Sequence, residues 1–390
     1  MSRIEPNQSQ KRLLEELNKF HKNKNKPIYV YSGPPGSGKT WVIALFFENN
    51  NIRPNEYITC AFSGKAANVL ARRGLPAKTI HSLIYNRVMV PFEAENGEIR
   101  YKPEFVLKSG LQKGLKYIVV DEMSMVPDSI MSDLLSFGIP VIGMGDINQL
   151  PPVFGESSYM LRPDFCLNEI MRQEKDSPII KLSQMALHGE HIHYGDYGQN
   201  CRVLRNIQLG ENLIDDYDII LCNRNKTRDI LNDIIRHDIY GIQEQKPVIG
   251  DKVMCKQNNW DMCVEDAYLT NGTVGFITYI DEQTETSKKF RGDFTAEFSD
   301  TATFINVEFD LKYITSPYYE RQKYGITSYT KFEYANAITV HSSQGSQYDR
   351  VLYIDDGFGG STDLLTKLKY TAITRAAKSI DIVNGFNLFN

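Results

Sequence analysis

One eight-residue stretch constrains this chain more than any other: Gly33-Pro34-Pro35-Gly36-Ser37-Gly38-Lys39-Thr40 fits G-x-x-x-x-G-K-[ST] at every fixed position. It follows the apolar run Ile28-Tyr29-Val30-Tyr31 and precedes the helical stretch 41–48. A strand, a glycine-rich turn and a helix are therefore expected in succession, as in an α/β fold that binds ligands at the carboxyl ends of its strands. The glycines let backbone N–H groups close around phosphate oxygens. The helix N-terminus adds partial positive charge. Lys39 is expected to reach the β- and γ-phosphates of ATP, and Thr40 to offer its hydroxyl to Mg²⁺.

A second element agrees in kind and order. Asp121-Glu122 ends the apolar run 117–120. Asp121 is expected to hold Mg²⁺ through water, and Glu122 to polarise the attacking water as general base. Other short apolar runs, at 57–62 and 140–144, alternate with helical stretches such as 65–72. That rhythm predicts a parallel sheet covered on both faces. Residues 86–113 interrupt it, with β-prone segments flanking Asn96-Gly97, a strong hairpin signal.

Downstream, a strand at 219–222 and a helix at 227–239 begin a second α/β region. Short β segments fill 246–329 and predict a small inserted barrel. The α/β pattern resumes at 337–340, 351–354 and 380–383. The expected organisation is a first domain over 1–165 with a hairpin insertion at 86–113. A second domain is expected over 166–245 and 330–390, with the barrel at 246–329 between its halves.

Composition sets limits. The chain has 390 residues with a formal net charge of −4, which argues against a protein that coats nucleic acid but allows a locally basic groove. Its six cysteines form no C-x-x-C pair, so neither a structural metal nor a disulfide is expected. No apolar run approaches the roughly 20 residues that span a bilayer. Residues 1–10 lack the apolar core of a signal peptide. A cytoplasmic, bacterial or phage-encoded protein with no membrane partner is the expectation.

Further stretches carry a family resemblance. Phe62-Ser63-Gly64-Lys65-Ala66-Ala67, Thr79-Ile80-His81-Ser82-Leu83, Gly145-Asp146-Ile147-Asn148-Gln149-Leu150-Pro151-Pro152, the segment ending His341-Ser342-Ser343-Gln344-Gly345-Ser346, and Tyr370-Thr371-Ala372-Ile373-Thr374-Arg375-Ala376 occur in this order. They resemble motifs of superfamily 1 helicases of the RecD/Dda-like branch, and the resemblance covers nearly the whole chain. It implies two RecA-like P-loop domains, the first with a β-hairpin insertion and the second with an SH3-like barrel. It also implies an ATP-dependent helicase that moves 5′ to 3′ on single-stranded DNA as a monomer, opens a duplex fork and serves replication or repair.

The resemblance also assigns roles. Gln10 would read adenine, with Gln8 as its rival. Gln149 would sense the γ-phosphate, and Arg172 and Arg375 would reach it from the second domain. An arginine supplied in this way stabilises the charge of phosphoryl transfer by about 10³–10⁵ in rate. Ser63, Gly64, Lys65, His81, Arg224, His341, Ser343 and Gln344 would contact the strand, with packing or capping an equal reading for His81. Ser342 stands where the family has lysine, so weaker strand binding with a shallower salt slope is expected. Phe92, Tyr101, Phe105, Tyr318, Tyr319, Tyr324 and Tyr329 are candidate stacking aromatics among which the sequence does not choose. A translocase that displaces proteins without melting duplex, and an RNA track, stay open as alternatives.

Overall fold

Short central strands with no exposed face build the first sheet. In the computed structural model, which describes residues 5–23, 26–72, 74–93, 99–152, 155–168, 177–207, 210, 213–264, 267–297, 302–321, 323–324, 329–357 and 359–385, the chain forms two units. The first comprises Met1–Phe62, Ala66–Ile147 and Pro151–Arg172; the second comprises Ser63–Lys65, Asn148–Leu150 and Gln173–Asn390.

The first unit opens with α1 (Gln8–Asn23), β1 (Ile28–Ser32), α2 (Lys39–Asn49), β2 (Tyr57–Ala61), α3 (Gly64–Arg72) and β3 (Ala77–Thr79). It continues with α4 (Ile80–Ile84), β4 (Tyr85–Glu93), β5 (Ile99–Leu107), β6 (Tyr117–Asp121), α5 (Asp128–Leu135), β7 (Val141–Gly145), α6 (Ser158–Leu161) and β8 (Phe165–Cys166). Its sheet runs β3-β2-β6-β7-β1-β8, and every pairing is parallel. Ile28 and Val30 enter one core with Ile118, Val120, Met131 and Leu134. Tyr29 and Tyr31 enter the opposite core with Leu13, Leu17, Phe46 and Met144. A sheet covered on both faces needs apolar residues in sequence rather than alternation, and that is how β1, β6 and β7 read.

Several boundaries differ from those expected. The first helix is longer than 13–20, because Asn7 accepts the Gln10 N–H through Oδ1 at 2.8 Å and so caps a polar first turn. The expected boundary between 165 and 166 falls inside β8, which pairs with β1. β4 and β5 form a two-stranded antiparallel ribbon of nine residue pairs, Tyr85↔Leu107 to Glu93↔Ile99. The expected turn at Asn96-Gly97 lies outside the described residues.

The second unit contains α7 (Pro178–Leu187), β9 (Gly195–Asp196), β10 (Arg202–Leu204), α8 (Leu213–Asp216), β11 (Ile219–Cys222) and α9 (Asn225–Ile234). Next come β12 (Lys252–Cys255), β13 (Asn259–Val264), β14 (Ala267–Leu269), β15 (Val274–Asp281), β16 (Lys289–Ala296), β17 (Thr303–Asp310), α10 (Leu311–Thr315) and α11 (Tyr318–Arg321). It ends with β18 (Phe332–Tyr334), β19 (Ala337–Thr339), β20 (Tyr348–Asp355), α12 (Thr362–Ile373) and β21 (Ala376–Asn384). Its large sheet, β19-β11-β20-β21-β10-β9, is parallel except at β9. The smaller sheet, β17-β16-β15-β12-β18, is antiparallel, and the bridge Phe309↔Thr330 joins β17 to the approach to β18. Phe290, Phe309 and Phe332 stack inside it at centroid spacings of 4.6 Å. β18 pairs with β12, so the small sheet runs on beyond the expected end at 329.

Candidate nucleotide and strand sites

The P-loop joins β1 to α2 as the sequence predicts. The Gly33 N–H donates to the Gly145 carbonyl at the end of β7 at 3.0 Å. A Cβ at Gly33 would lie 2.5 Å from Ser37 Oγ. Gly36 and Gly38 have φ of 75° and 80°, a region that L side chains rarely adopt. Lys39 Nζ donates to the Gly33 carbonyl at 2.7 Å and the Pro34 carbonyl at 3.2 Å, so the ammonium lies against the loop. Beneath it, the fully buried Tyr31 hydroxyl donates to the Lys39 carbonyl at 3.0 Å. Burial, then the charge of Asp121, pushes that phenol well above its ordinary range. Ser37 is fully buried, and its Oγ has no hydrogen-bond partner among the described residues.

Gln10 and Gln8 separate clearly. Gln10 is fully buried and its Nε2 donates to the Ser37 carbonyl at 2.9 Å, whereas Gln8 is exposed. The α1 amide thus touches the loop backbone.

Asp121 ends β6, which lies between β2 and β7. Glu122 follows with φ of 50°, and its N–H donates to Asp121 Oδ1 at 2.9 Å. A non-glycine residue held there stores strain, and such strain concentrates at functional sites. Beside the pair, Asp146 is 1% exposed and the Ile147 N–H donates to Ser32 Oγ at 3.0 Å. Thr40 and Asp121 offer hard oxygen donors. Mg²⁺ is usually held by one or two carboxylates together with substrate phosphates rather than by an all-protein cage. The loop, the buried Ser37 hydroxyl and this donor set fit a magnesium-bound nucleotide.

The expected residues of the second unit are turned inward. Leu150 is bracketed: its N–H donates to Thr371 Oγ1 at 3.1 Å, and its carbonyl accepts from Gln344 Nε2 at 2.9 Å. Neighbouring Gln149 is 4% exposed. Arg375, also 4% exposed, donates from Nε to the Thr371 carbonyl at 3.2 Å and from Nη1 to the Ser346 carbonyl at 3.0 Å. Ser343 is fully buried and gives its hydroxyl to the Val340 carbonyl at 2.7 Å. The Ser343 hydroxyl and the Gln344 amide, both expected to meet a strand, are hydrogen-bonded inside the unit. Arg224 is exposed at the start of α9. A Cβ on Gly64 would lie 2.2 Å from Thr270 Oγ1, so this position requires glycine. Ser63 is half-buried. Arg172 lies outside the described residues, as does the side chain of Lys65.

His81 packs among aromatics, 5.9 Å from the Phe62 ring, 5.5 Å from Tyr85 and 6.0 Å from Phe105, and burial lowers its pKa. Phe105 is 42% exposed and so presents a ring to solvent; Tyr319 is 67% exposed. The side chains of Phe92 and Tyr101 lie outside the described residues.

The sequence reading missed a repeated device. Thr79-Ile80-His81-Ser82 and Thr339-Val340-His341-Ser342 each follow an edge strand, β3 and β19. In both, the threonine hydroxyl accepts the serine N–H, at 3.1 Å and 3.3 Å, and the two hydroxyls lie 3.0 Å apart. In both, burial lowers the histidine pKa. The shared T-x-H-S spelling was the available signal.

Comparisons with known proteins follow this layout. Residues 5–204 match the AAA domain family, and residues 334–383 match the UvrD-like helicase C-terminal domain. The chain is 30% identical over 178 residues to an ATP-dependent RecD2 DNA helicase of Deinococcus radiodurans, covering 43% of this chain and 23% of that protein. It is 26% identical over 434 residues to an uncharacterised protein of Methanocaldococcus jannaschii, covering 91% of this chain and 36% of that protein. The chain thus spans only about a quarter to a third of these relatives. Among solved structures, Pif1 helicase from Candida albicans aligns at TM-score 0.53 and 17% identity, covering 99% of this chain and 95% of that one. Bacteroides Pif1 bound to single-stranded DNA aligns at 0.54 and 16%, covering 97% and 92%. Two parallel-sheet units of this kind are the fold of those proteins. Matched over just over half its length, the chain belongs to the AAA domain family, and its other likenesses are to helicases of the RecD and Pif1 kind.

Proposed function

We propose that the chain hydrolyses ATP to move along single-stranded DNA, 5′ to 3′, and opens duplex at a fork. The observation that carries this reading is the P-loop after β1 and Asp121-Glu122 after β6, at the carboxyl ends of the two strands that flank β7 in one parallel sheet. In this reading the loop amides and Lys39 bind the β- and γ-phosphates, and Gln10 faces the base. Thr40 and Asp121 hold Mg²⁺, which neutralises charge on the phosphates. Glu122 takes the proton of the attacking water. Gln149, Arg172 and Arg375 add polar and positive groups at the γ-phosphate, where charge spreads in the transition state. Lys65, His81, Arg224 and His341, with Ser63 and the Gly64 backbone, hold the strand by its phosphates, which positions it without reading sequence. The ribbon β4–β5 separates the opened strands, and the small antiparallel sheet, read as an SH3-like barrel, steadies the strand.

The Ser342 departure supports a modest grip, since a lysine at that position would add a phosphate contact and steepen the salt dependence. Unwinding of duplexes with a 5′ or a 3′ single-stranded tail, each made in DNA and in RNA, tests the reading. Opening of the 5′-tailed DNA substrate with ATP is expected. Exclusive opening of RNA, or of 3′-tailed DNA, overturns the track or the direction. Hydrolysis stimulated by the strand without any opening leaves a translocase.

A further inference from the structure

The ribbon β4–β5 is rooted in the first unit by Tyr85, Lys108 and Asp133, which lie outside the motif stretches. Its two strands meet the unit at one end, where Tyr85 pairs with Leu107. At the exit of β5, the Lys108 N–H donates to the Ile84 carbonyl at 2.8 Å. Lys108 Nζ donates to the Ser82 carbonyl at 2.7 Å and the Leu83 carbonyl at 2.9 Å. These are carbonyls of the short helix α4, where a cation both completes hydrogen bonds and meets the negative end of the helix. At the entry to β4, the Tyr85 hydroxyl donates to Asp133 Oδ2 at 2.5 Å, tying that strand to α5. The Tyr85 ring also packs against His81 and Phe105, which joins the two attachments through one aromatic cluster.

A two-stranded ribbon by itself is marginally ordered in water. Among the ribbon residues whose side chains are described, Val88, Phe105 and Val106 are 39–50% exposed, so their burial does little to hold it. The contacts at the root can set its direction. Both polar anchors are partly buried and charge-assisted, the stronger class of hydrogen bond. Burial, then the nearby Lys78, lowers the Lys108 pKa, and burial together with Asp133 raises that of Tyr85; both groups are half-buried.

We propose that Lys108 and the Tyr85–Asp133 pair are positioning residues. They lock the ribbon to α4 and α5, and this lock converts hydrolysis into strand separation. The claim rests on the reading of the ribbon as the element that parts the strands, and the test separates the two.

Nitroxide labels at Val88→Cys on the ribbon and Ser132→Cys on α5, in a background with the exposed Cys166 and Cys263 changed to serine, report the ribbon's direction with no DNA or nucleotide present. The double variant Lys108→Met/Tyr85→Phe keeps both side-chain bodies and removes the anchoring donors. The label-to-label distance distribution is expected to broaden in this variant and to stay narrow with Lys108→Arg, which keeps a cationic donor. Base pairs opened per ATP should fall by at least about fivefold, the factor that one of the three lost hydrogen bonds alone can carry, while strand-stimulated hydrolysis keeps its rate. An unchanged distribution overturns the lock. A broadened distribution with unchanged base pairs per ATP overturns the conversion step and, with it, the ribbon as the separating element.

Discussion

Glu122 shows how the chemistry is prepared one residue at a time. Its left-handed backbone, with φ of 50°, turns the chain sharply after β6, so Asp121 and Glu122 leave the strand in different directions. In the proposed mechanism one carboxylate serves the metal and the other the water. Glu122→Gln keeps the size and the backbone and removes the base. Hydrolysis should fall by about 10²–10⁴-fold, the usual contribution of a positioned general base, with nucleotide affinity retained. Single-turnover hydrolysis beside fluorescent nucleotide binding reads both, and equal losses in the two would make Glu122 a binding residue. His341 makes a different prediction. Burial lowers its pKa below the ordinary 6.5, so the unfolded chain takes up the proton more readily. The stability associated with the neutral ring is whole above about pH 6.5 and is lost as pH falls through the folded-state value. Thermal unfolding followed from about pH 7.5 to 5.5 should show a shallower decline for His341→Gln than for the parent chain. Parallel declines would contradict it.

At the scale of elements, a buried charge cluster ties α9 to the small sheet. Glu333 on β18 accepts from Arg228 at 2.6 Å and lies 3.3 Å from Lys256 and 3.5 Å from Arg321. Burial alone would raise this carboxyl; Lys256, Arg228 and Arg321 outweigh it and hold the carboxyl below its ordinary value. Arg228 is 1% exposed, so it needs the partner. Glu333→Gln should cost about 3–5 kcal/mol in denaturant unfolding, because Arg228 loses its buried counter-charge and keeps only the more exposed Asp229. A loss within the range of an exposed ion pair, about 0–1 kcal/mol, would show the cluster to be well solvated. Such elements were unevenly legible. Runs of four or five apolar residues identified β1, β6, β7 and β11, because strands buried on both faces carry their own signature. β3, β8, β10 and β18 span two or three residues, too few to display any period, and only their partners define them. For Lys108 and Arg228, nothing local in the sequence reveals which carbonyls or carboxylates the fold brings to them.

On the scale of the molecule, both ends of the argument were written in motifs, and the middle was not. The P-loop, the acidic pair and the T-x-H-S stretches are fixed by local chemistry, so spelling locates them. The inward turn of Arg375, Ser343 and Gln344 depends on Leu150 and Ser346, which adjoin them only in the folded unit. Among the described residues no helix is long and apolar enough to cross a membrane. The proposed function requires that nucleotide hydrolysis at the P-loop answer to a single strand held by the same chain. The direct measurement is steady-state ATP hydrolysis with and without single-stranded DNA, for the parent chain and for Lys39→Ala. Lys39 is proposed to bind phosphate and lies outside the hydrophobic cores, so the variant should stay folded. Strand-stimulated turnover in the parent, lost by at least about 10²-fold in a folded Lys39→Ala, is the predicted result. Turnover in Lys39→Ala equal to the parent, or a parent rate indifferent to the strand, would contradict it.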